Sequence, residues 1–142
     1  MISLIIGKKG TGKTKVLVEH VNEAVHVSSG NVVCVEKETK LTYDVNYRAR
    51  LVATDVFGIS GYDAFYGFLS GICAGDHDIT DIFVDATYRI AEDTDRTGEA
   101  LAAFLKKVNE LSAISDTKFT FTISSDFETL PSAMFEYCEK IN

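Results

Sequence analysis

The fold of this chain is decided by one stretch near its beginning, Gly7-Lys8-Lys9-Gly10-Thr11-Gly12-Lys13-Thr14. It fits the pattern G-x-x-x-x-G-K-[ST] at every fixed position. Residues 2–6 are a short apolar, β-branched run, which predicts a buried strand, and residues 13–26 carry an apolar stripe at helical spacing. Such a strand-to-helix turn is typical of a phosphate-binding loop. Its glycines let backbone N–H groups close on phosphate oxygens, and the helix N-terminus adds partial positive charge.

Two side chains of this stretch have expected roles. Lys13 is expected to reach the β- and γ-phosphates of a nucleotide, and the Thr14 hydroxyl is expected to ligate Mg²⁺. By chance the four fixed positions would match in roughly one chain of this length in two hundred. The alternative is a glycine-rich turn that binds nothing, and the intact Lys13 and Thr14 count against it.

Length and composition favour one ordinary domain spanning residues 1–142. The chain has 142 residues, of which 46% are hydrophobic and 25% charged. Its formal net charge of −7 argues against a broad nucleic-acid-binding face, which is normally basic. Positive charge is nevertheless concentrated at the loop, on Lys8, Lys9, Lys13 and Lys15. An anion is therefore expected there.

The cysteines and the apolar runs indicate in which cellular compartment the protein is expected. Cys34, Cys73 and Cys138 are far apart and form no C-x-x-C pair, which argues against a zinc site and favours reduced core thiols. No apolar run approaches the ~18 residues of a membrane span. The run at 2–6 is too short for the core of a signal peptide. We expect a soluble, cytoplasmic protein.

Strand and helix patterns alternate along the chain. Strands are predicted at residues 2–6, 32–35, 51–53, 79–84 and 119–123. Helices are predicted at residues 13–26, from Ser60 onward with Asp63 as a capping-box partner, at 98–114, and from near Pro131 to the end, with a polar loop at 87–97. The alternation predicts an α/β three-layer sandwich, with a mostly parallel five-stranded sheet and helices on both faces. Ligands of such sheets bind at the carboxyl ends of the strands.

A second motif closes the predicted strand at 79–84. Ile82-Phe83-Val84-Asp85 is an apolar run that ends in a carboxylate. Asp85 is therefore expected to hold the Mg²⁺ of a bound nucleotide, usually through water. The alternative is an aspartate that caps a turn at the end of a strand.

At these two motifs the chain resembles the P-loop NTPase superfamily. Residues 7–14 are similar to its Walker A motif and residues 82–85 to its Walker B motif. The likeness is closer to the RecA and thymidine-kinase branch than to the small GTPases, because an extra strand is predicted before Asp85 and no Asn-Lys-x-Asp guanine signature is present. The resemblance implies the P-loop fold, ATP and Mg²⁺ as cofactors, nucleotide contacts from all of residues 7–14, and Thr14 and Asp85 at the metal.

The sequence departs from that branch directly after Asp85. ATPases of the branch usually place a glutamate there to activate water, whereas this chain has Ala86 and Thr87. Glu92 and Asp93 lie in the loop beyond and could substitute. No catalytic residue is assigned, and nucleotide binding is better supported than hydrolysis.

Each of the other polar segments allows both a functional and a purely structural interpretation. In the resembled branch the strand after Walker B ends in a polar residue near the γ-phosphate, a position that Ser124-Ser125 fits, although both can be ordinary loop serines. Arg89 or Arg96 could stabilise transferred phosphate, or belong to a surface loop. The acidic segment with Asp76, His77, Asp78 and Asp81 could hold a cation, but a solvated loop is favoured.

Three functions follow. The first is an ATP-binding protein, weakly hydrolytic at most, that acts as a switch or assembly component with a protein partner or in a homo-oligomer. The alternative is a small-molecule kinase of the thymidine-kinase type, although the zinc-binding cysteines and extended substrate loop of that family are missing. The third is a P-loop scaffold that binds no nucleotide.

Overall fold

The computed structural model describes residues 1–142 and has the alternating order of an α/β protein. The strands are β1 (Ile2–Gly7), β2 (Asn31–Glu36), β3 (Arg50–Ala53), β4 (Ile79–Val84), β5 (Lys118–Ser124) and β6 (Cys138–Lys140). The helices are α1 (Lys13–Val27), α2 (Tyr62–Gly75), α3 (Thr87–Ala91) and α4 (Glu99–Ser115). Short 3₁₀ turns lie at Thr54–Phe57, Phe127–Thr129 and Ser132–Glu136. None of the helices combines the length and apolar character needed to cross a lipid bilayer.

All six strands form one parallel sheet in the order β3-β2-β4-β5-β1-β6. The central strands are apolar along most of their length because both faces of the sheet are covered. β5 lies between β1 and β4, with Ile6 opposite Ile123 and Val84 opposite Phe121. The loop after β1 and the residue after β4 therefore flank the carboxyl end of β5.

The two faces of the sheet carry separate apolar clusters. On one face α1 packs through Leu17 and Val21, together with Leu41 and Val45 from the segment between β2 and β3. The other face is covered by α2 and α4, where the rings of Phe65 and Phe104 stack with their centroids 5.0 Å apart. Helices on both faces were predicted, and this expectation is confirmed.

The periodic segments are the best-predicted ones. The helix predicted at 98–114 matches α4, and the five apolar residues that repeat along it at helical spacing are all buried: Leu101, Phe104, Leu105, Val108 and Leu111. The predicted helix at 13–26 and strand at 79–84 match α1 and β4 closely. A period of 3.6 or a short apolar run is a local signal, so these elements can be found without knowing their partners.

The prediction of five strands and a helix at the end of the chain is wrong. Ser132–Glu136 is a 3₁₀ turn, and the chain then forms a sixth strand, β6, which pairs with β1 through Ile2 and Cys138. Asn142 prolongs this edge, since its side chain accepts from the Ile6 amide and donates to the Ile6 carbonyl. The pairing partner is far away in sequence, so the local pattern of a three-residue strand cannot reveal it.

Two boundaries also differ from the prediction. The segment 87–97, expected to be a loop, begins with the short helix α3, which is followed by its C-cap residue Glu92 at φ 53°. The second long helix begins at Tyr62 rather than Ser60. Its cap is Gly61 at φ 84°, and no side-chain capping bond forms. A glycine in the left-handed region turns the chain here, so the predicted capping box is absent.

Candidate functional site

The loop from Gly7 to Thr14, called the phosphate loop below, connects β1 directly to α1. Gly12 is the N-cap of α1 at φ 87°, a region that disfavours other residues, and no side chain caps the helix. A Cβ on Gly7 would lie 2.6 Å from the Thr11 hydroxyl, so the loop folds back on its first residue. The first N–H groups of α1 are thus left available to an anion.

The loop is held together around the carbonyl of Lys8. This oxygen accepts from the Thr11 hydroxyl at 2.7 Å and from the Lys13 ammonium group at 2.9 Å. The Lys8 side chain points elsewhere and forms an exposed ion pair with Asp126 at 3.6 Å. Burial lowers the pKa of Lys13, and the nearby Asp85 carboxylate opposes that shift. Lys13 is therefore a partly desolvated cation beside an acid, with only a carbonyl as its direct partner.

Asp85 joins three elements at the carboxyl end of the sheet. Its two carboxylate oxygens accept from the Thr14 hydroxyl at 3.1 and 3.0 Å. The Thr122 hydroxyl of β5 donates to the same carboxylate at 2.8 Å and accepts from the Ala86 amide at 2.8 Å. Ala86 has φ of 58°, a left-handed conformation in which the chain turns sharply out of the strand. The carboxylate is thereby oriented toward α1.

The oxygen atoms of Thr14 and Asp85 suit Mg²⁺. This ion prefers oxygen ligands and is commonly bound by one or two carboxylates, with waters and substrate phosphates completing its shell. No group of three or more acidic, histidine or cysteine side chains is arranged to hold a metal on its own. The residues therefore fit an ion that arrives with a phosphate ligand rather than a resident, fully protein-bound metal.

These groups enclose a cleft of about 240 Å³, called the phosphate-loop cleft below. Of the residues predicted to bind nucleotide or metal, six line it: Lys9, Gly10, Gly12, Lys13, Thr14 and Asp85. The other three, Gly7, Lys8 and Thr11, do not line the cleft. They stabilise the loop through the close approach of Gly7 to Thr11 and the hydrogen bonds to the Lys8 carbonyl. Ser124 and Thr122 line the cleft at the end of β5, whereas the Ser125 hydroxyl bonds to Asp126 and Thr129.

Sequence reasoning missed Glu36, the last residue of β2. Its side chain is 3% exposed, and one carboxylate oxygen accepts from the Lys40 and Leu41 amides at 2.8 and 3.1 Å. The other oxygen is buried without a partner. The preceding residue pairs with Val84, so Glu36 lies beside Asp85, and both line an adjoining hollow of about 170 Å³. An apolar run ending in a carboxylate, the signal that identified Asp85, was present here too.

The two arginines of the segment after β4 have different surroundings. Arg89 lines both the phosphate-loop cleft and the adjoining hollow, where it pairs with Glu38. Glu38 also pairs with Lys40 at 2.7 Å, and the hydrogen bond from Lys40, with the charges of both partners, lowers its pKa. Arg96 instead lies over the ring of Tyr88, 5.4 Å from its centroid. Only Arg89 is placed to meet a ligand in the cleft.

Glu92 and Asp93, the two carboxylates that could substitute for a water-activating glutamate, lie outside the cleft. Asp93 accepts from the Tyr62 hydroxyl at 2.5 Å and from the Arg96 amide at 3.1 Å. Burial, and then this bond, raise the pKa of Tyr62. Glu92 is the C-cap residue after α3, and it lines neither the phosphate-loop cleft nor the adjoining hollow. Glu36, unlike these two, lines the hollow beside Asp85.

The acidic segment before β4 lies at the opposite end of the sheet. Asp76 accepts from the Asn31 side chain and from the Asp78 amide, both at 2.8 Å. These two bonds, the backbone bond first, lower its pKa. The carboxylate is occupied by turn contacts, in keeping with the favoured reading of this segment as a loop.

No protein-family model matches this chain, and no curated protein is similar to it at a significant level. The case for a function therefore rests on the geometry of the phosphate-loop cleft.

Proposed function

We propose that the protein binds Mg²⁺-ATP in the phosphate-loop cleft and acts as a nucleotide-dependent switch or assembly component with slow ATP hydrolysis. The observation that carries the proposal is the meeting of Thr14 and Asp85, 71 residues apart in sequence and 3.0 Å apart in space, beside Lys13. A glycine-rich turn that binds no ligand would not require a hydroxyl and a carboxylate from distant parts of the chain to lie in contact beside it.

The electrostatics of the cleft favour a polyphosphate. Lys9, Lys13 and Arg89 line it, whereas the chain as a whole carries a net charge of −7. The N-terminus of the 15-residue helix α1 adds its unpaired N–H groups and partial positive charge. Lys13 would exchange its bond to the Lys8 carbonyl for a phosphate oxygen, a stronger charge-assisted partner.

The metal site of the proposal is formed by Thr14 and Asp85. When bound, Mg²⁺ would neutralise charge on the β- and γ-phosphates. Asp85 is already oriented by the Thr122 hydroxyl, so little rearrangement of the carboxylate is required. Adenine is proposed over guanine because the chain has no Asn-Lys-x-Asp signature.

The proposed slow turnover follows from the surroundings of the cleft. Ala86 stands where a water-activating glutamate would be expected, and its side chain cannot accept a proton. Glu36 is the carboxylate nearest to that role, because one of its oxygens is buried beside Asp85 with no hydrogen-bond partner. One oxygen of Glu36 is fixed by two backbone amides, which limits its reach toward an attacking water.

The proposed switch involves Arg89. Arg89 pairs with Glu38, which lies on the segment between β2 and β3. Since Arg89 also lines the phosphate-loop cleft, a bound phosphate would compete for its guanidinium group and release Glu38. Tyr43 and Tyr47 lie on the same segment, 99% and 92% exposed, so its movement would change a surface available to a protein partner.

A small-molecule kinase remains the second proposal, because a further hollow adjoins Thr14. It has a volume of about 440 Å³ and is lined by Lys15, Val18, Leu41 and Asp44 among others. That volume is sufficient for a small acceptor. A kinase would transfer phosphate to an added nucleoside or sugar, whereas a switch would release it only to water.

The test is calorimetric titration with ATP, GTP and their diphosphates, with and without Mg²⁺. ATP with Mg²⁺ is expected to bind best. Lys13→Ala removes a charge-assisted contact of about 1.5–3 kcal/mol, which corresponds to a roughly ten- to hundredfold loss of affinity. Lys106→Ala, an exposed lysine on α4, is the matched control and should bind as the parent does. Equal affinity of Lys13→Ala and the parent would refute the proposal.

A further inference from the structure

A cavity of about 450 Å³ lies at the end of the sheet opposite to the phosphate loop. Its floor is formed by β2 and β3, including Val33 and Val52, and its wall by Phe68 and Ile72 of α2. None of its lining residues belongs to the phosphate-loop cleft. Its volume falls in the range of small-molecule sites, which are usually concave and mostly apolar.

The cavity exists because the helical layer stops short of the sheet edge. α2 packs against α4, and β3 is the outermost strand on that side. The α2 wall contains Gly71 and Gly75, and a Cβ on either would meet no atom within 4 Å. A glycine inside a helix costs up to about 1 kcal/mol relative to alanine, and no packing contact requires one at Gly71, so this part of the α2 wall is open.

Two cations at this cavity have no partner. Arg48 and Arg50 line it and are exposed, and their guanidinium groups form no ion pair or hydrogen bond; Arg48 contributes only its backbone amide, which donates to the Asn46 side chain at 2.9 Å. The one acid in the lining, Asp76, is engaged by Asn31 and the Asp78 amide. Those neutral donors leave Asp76 ionised, so two arginines against one aspartate give the lining a net positive charge beside apolar surface, in a chain whose net charge is −7.

We propose that this cavity binds a small amphipathic anion, an aromatic or branched body that carries one carboxylate or sulfonate group. The body would pack on Val52, Phe68 and Ile72, and the acid group would pair with Arg48 and Arg50. α2 ends at Gly75, on the other side of the cavity, and its carbonyl end repels an anion. The head group therefore lies toward β3 and the apolar part toward α2.

The first test uses a matched pair of fluorescent probes. 8-Anilinonaphthalene-1-sulfonate carries the aromatic body with an acid group, and N-phenyl-1-naphthylamine is the same body without it. The folded protein should bind the sulfonate at least about tenfold more tightly than the amine. Equal affinity for the two probes, or no binding of the sulfonate, would overturn the proposal.

The second test fills the cavity. Gly71→Leu places a side chain into open space at the α2 wall and should reduce sulfonate affinity at least about tenfold. Gly67→Leu, four residues earlier on the same helix, also meets no atom within 4 Å but does not line the cavity, so its affinity should equal the parent's. Circular dichroism and the melting temperature check that both variants fold. Unchanged binding by Gly71→Leu would place the probe elsewhere and refute the site.

The third test removes the charge. Arg48→Gln with Arg50→Gln should abolish the preference for the sulfonate over the amine. Lys106→Gln with Lys118→Gln, two exposed lysines that do not line the cavity, makes the same change in net charge and should keep the preference. Sedimentation velocity completes the design, because a dimeric parent that becomes monomeric in Gly71→Leu would make this surface a self-interface and overturn the ligand proposal.

Discussion

The ammonium group of Lys13 donates to the carbonyl of Lys8, five residues earlier, at 2.9 Å. The Lys13 ammonium group, which a phosphate would contact in the proposed complex, is thus paired with a carbonyl oxygen of the same loop. Because burial already lowers the pKa of this lysine, its charge state is sensitive to pH below the ordinary value of 10.5.

The affinity for ATP should therefore decline as the pH rises toward 10.5. The binding-competent form of Lys13 is protonated, a lowered pKa brings deprotonation to a lower pH, and the neutral amine loses its charge-assisted bond to phosphate. Titrations in EDTA across the alkaline range measure the effect without metal hydroxide. Lys13→Ala should bind weakly with a flatter profile, and an equally steep decline in that variant would assign the titration to another group.

Asp85→Asn should weaken nucleotide binding with Mg²⁺ and change it much less in EDTA. The amide keeps one oxygen for Thr122 but loses the charge that Mg²⁺ requires. Asp81→Asn, earlier on β4, is the control and should have no effect in either condition. Equal loss with and without Mg²⁺ would make Asp85 a structural residue.

Intrinsic ATP hydrolysis should stay below ~1 s⁻¹, since an ordinary general base contributes about 10²–10⁴-fold and none follows Asp85. Glu36→Gln should lower any residual phosphate release further, while its remaining oxygen still accepts from the Lys40 and Leu41 amides. Glu23→Gln, exposed on α1, is the control. Turnover far above this limit, undiminished in Glu36→Gln, would identify a different base and favour an enzyme over a switch.

Gly30→Ala should destabilise the fold by about 1–3 kcal/mol, because its Cβ would lie 2.0 Å from the Asp78 carbonyl oxygen, well inside contact distance. Gly67→Ala should stabilise the fold by about 0.5–1 kcal/mol, because the new methyl group points into open space on α2. Urea unfolding of the two variants measures both changes. Similar midpoints for both would contradict the predicted packing of the loop between α1 and β2.

The cysteines should resist thiol reagents in the folded protein. Cys34, Cys73 and Cys138 are free and buried, and burial raises the pKa of Cys34 and of Cys138 to about 12. The reactive thiolate is therefore scarce at neutral pH. Titration with a chromogenic disulfide should detect almost no thiol in the native protein and three after denaturation. Fast native labelling would reveal an opening of the core.

The sequence correctly predicted the helices and strands that have a local periodic pattern. It missed the strand that forms only by pairing with a distant segment. α1, β4 and α4 carry strong periodic or apolar signals, and the structure confirms them. β6 has three residues, two of them exposed, and exists only because the edge of β1 accepts it. Local helix formers in Ser132–Glu136 form a single 3₁₀ turn there, because the chain must extend again to reach β1.

The candidate site was predicted in the same uneven way. The glycines, Lys13, Thr14 and Asp85 follow short patterns whose meaning does not depend on the rest of the chain. Glu36 had a comparable pattern, an apolar strand ending in an acid, but its importance depends on β2 lying next to β4. That neighbour relation is tertiary, so it could not be read from the residues around Glu36.

The position of β1 in the sheet has a consequence for how the chain is made. Its two neighbours, β5 and β6, begin at residues 118 and 138, whereas β3, β2 and β4 lie side by side in that order in the sheet and are synthesised before them. The strand that leads into the phosphate loop therefore has no sheet partner until β2, β3 and β4 have all been synthesised. Its pairing with β5 joins segments far apart in sequence, which favours slow, late closure. A nascent chain would gain its proposed ability to bind a nucleotide only after β5 has been synthesised.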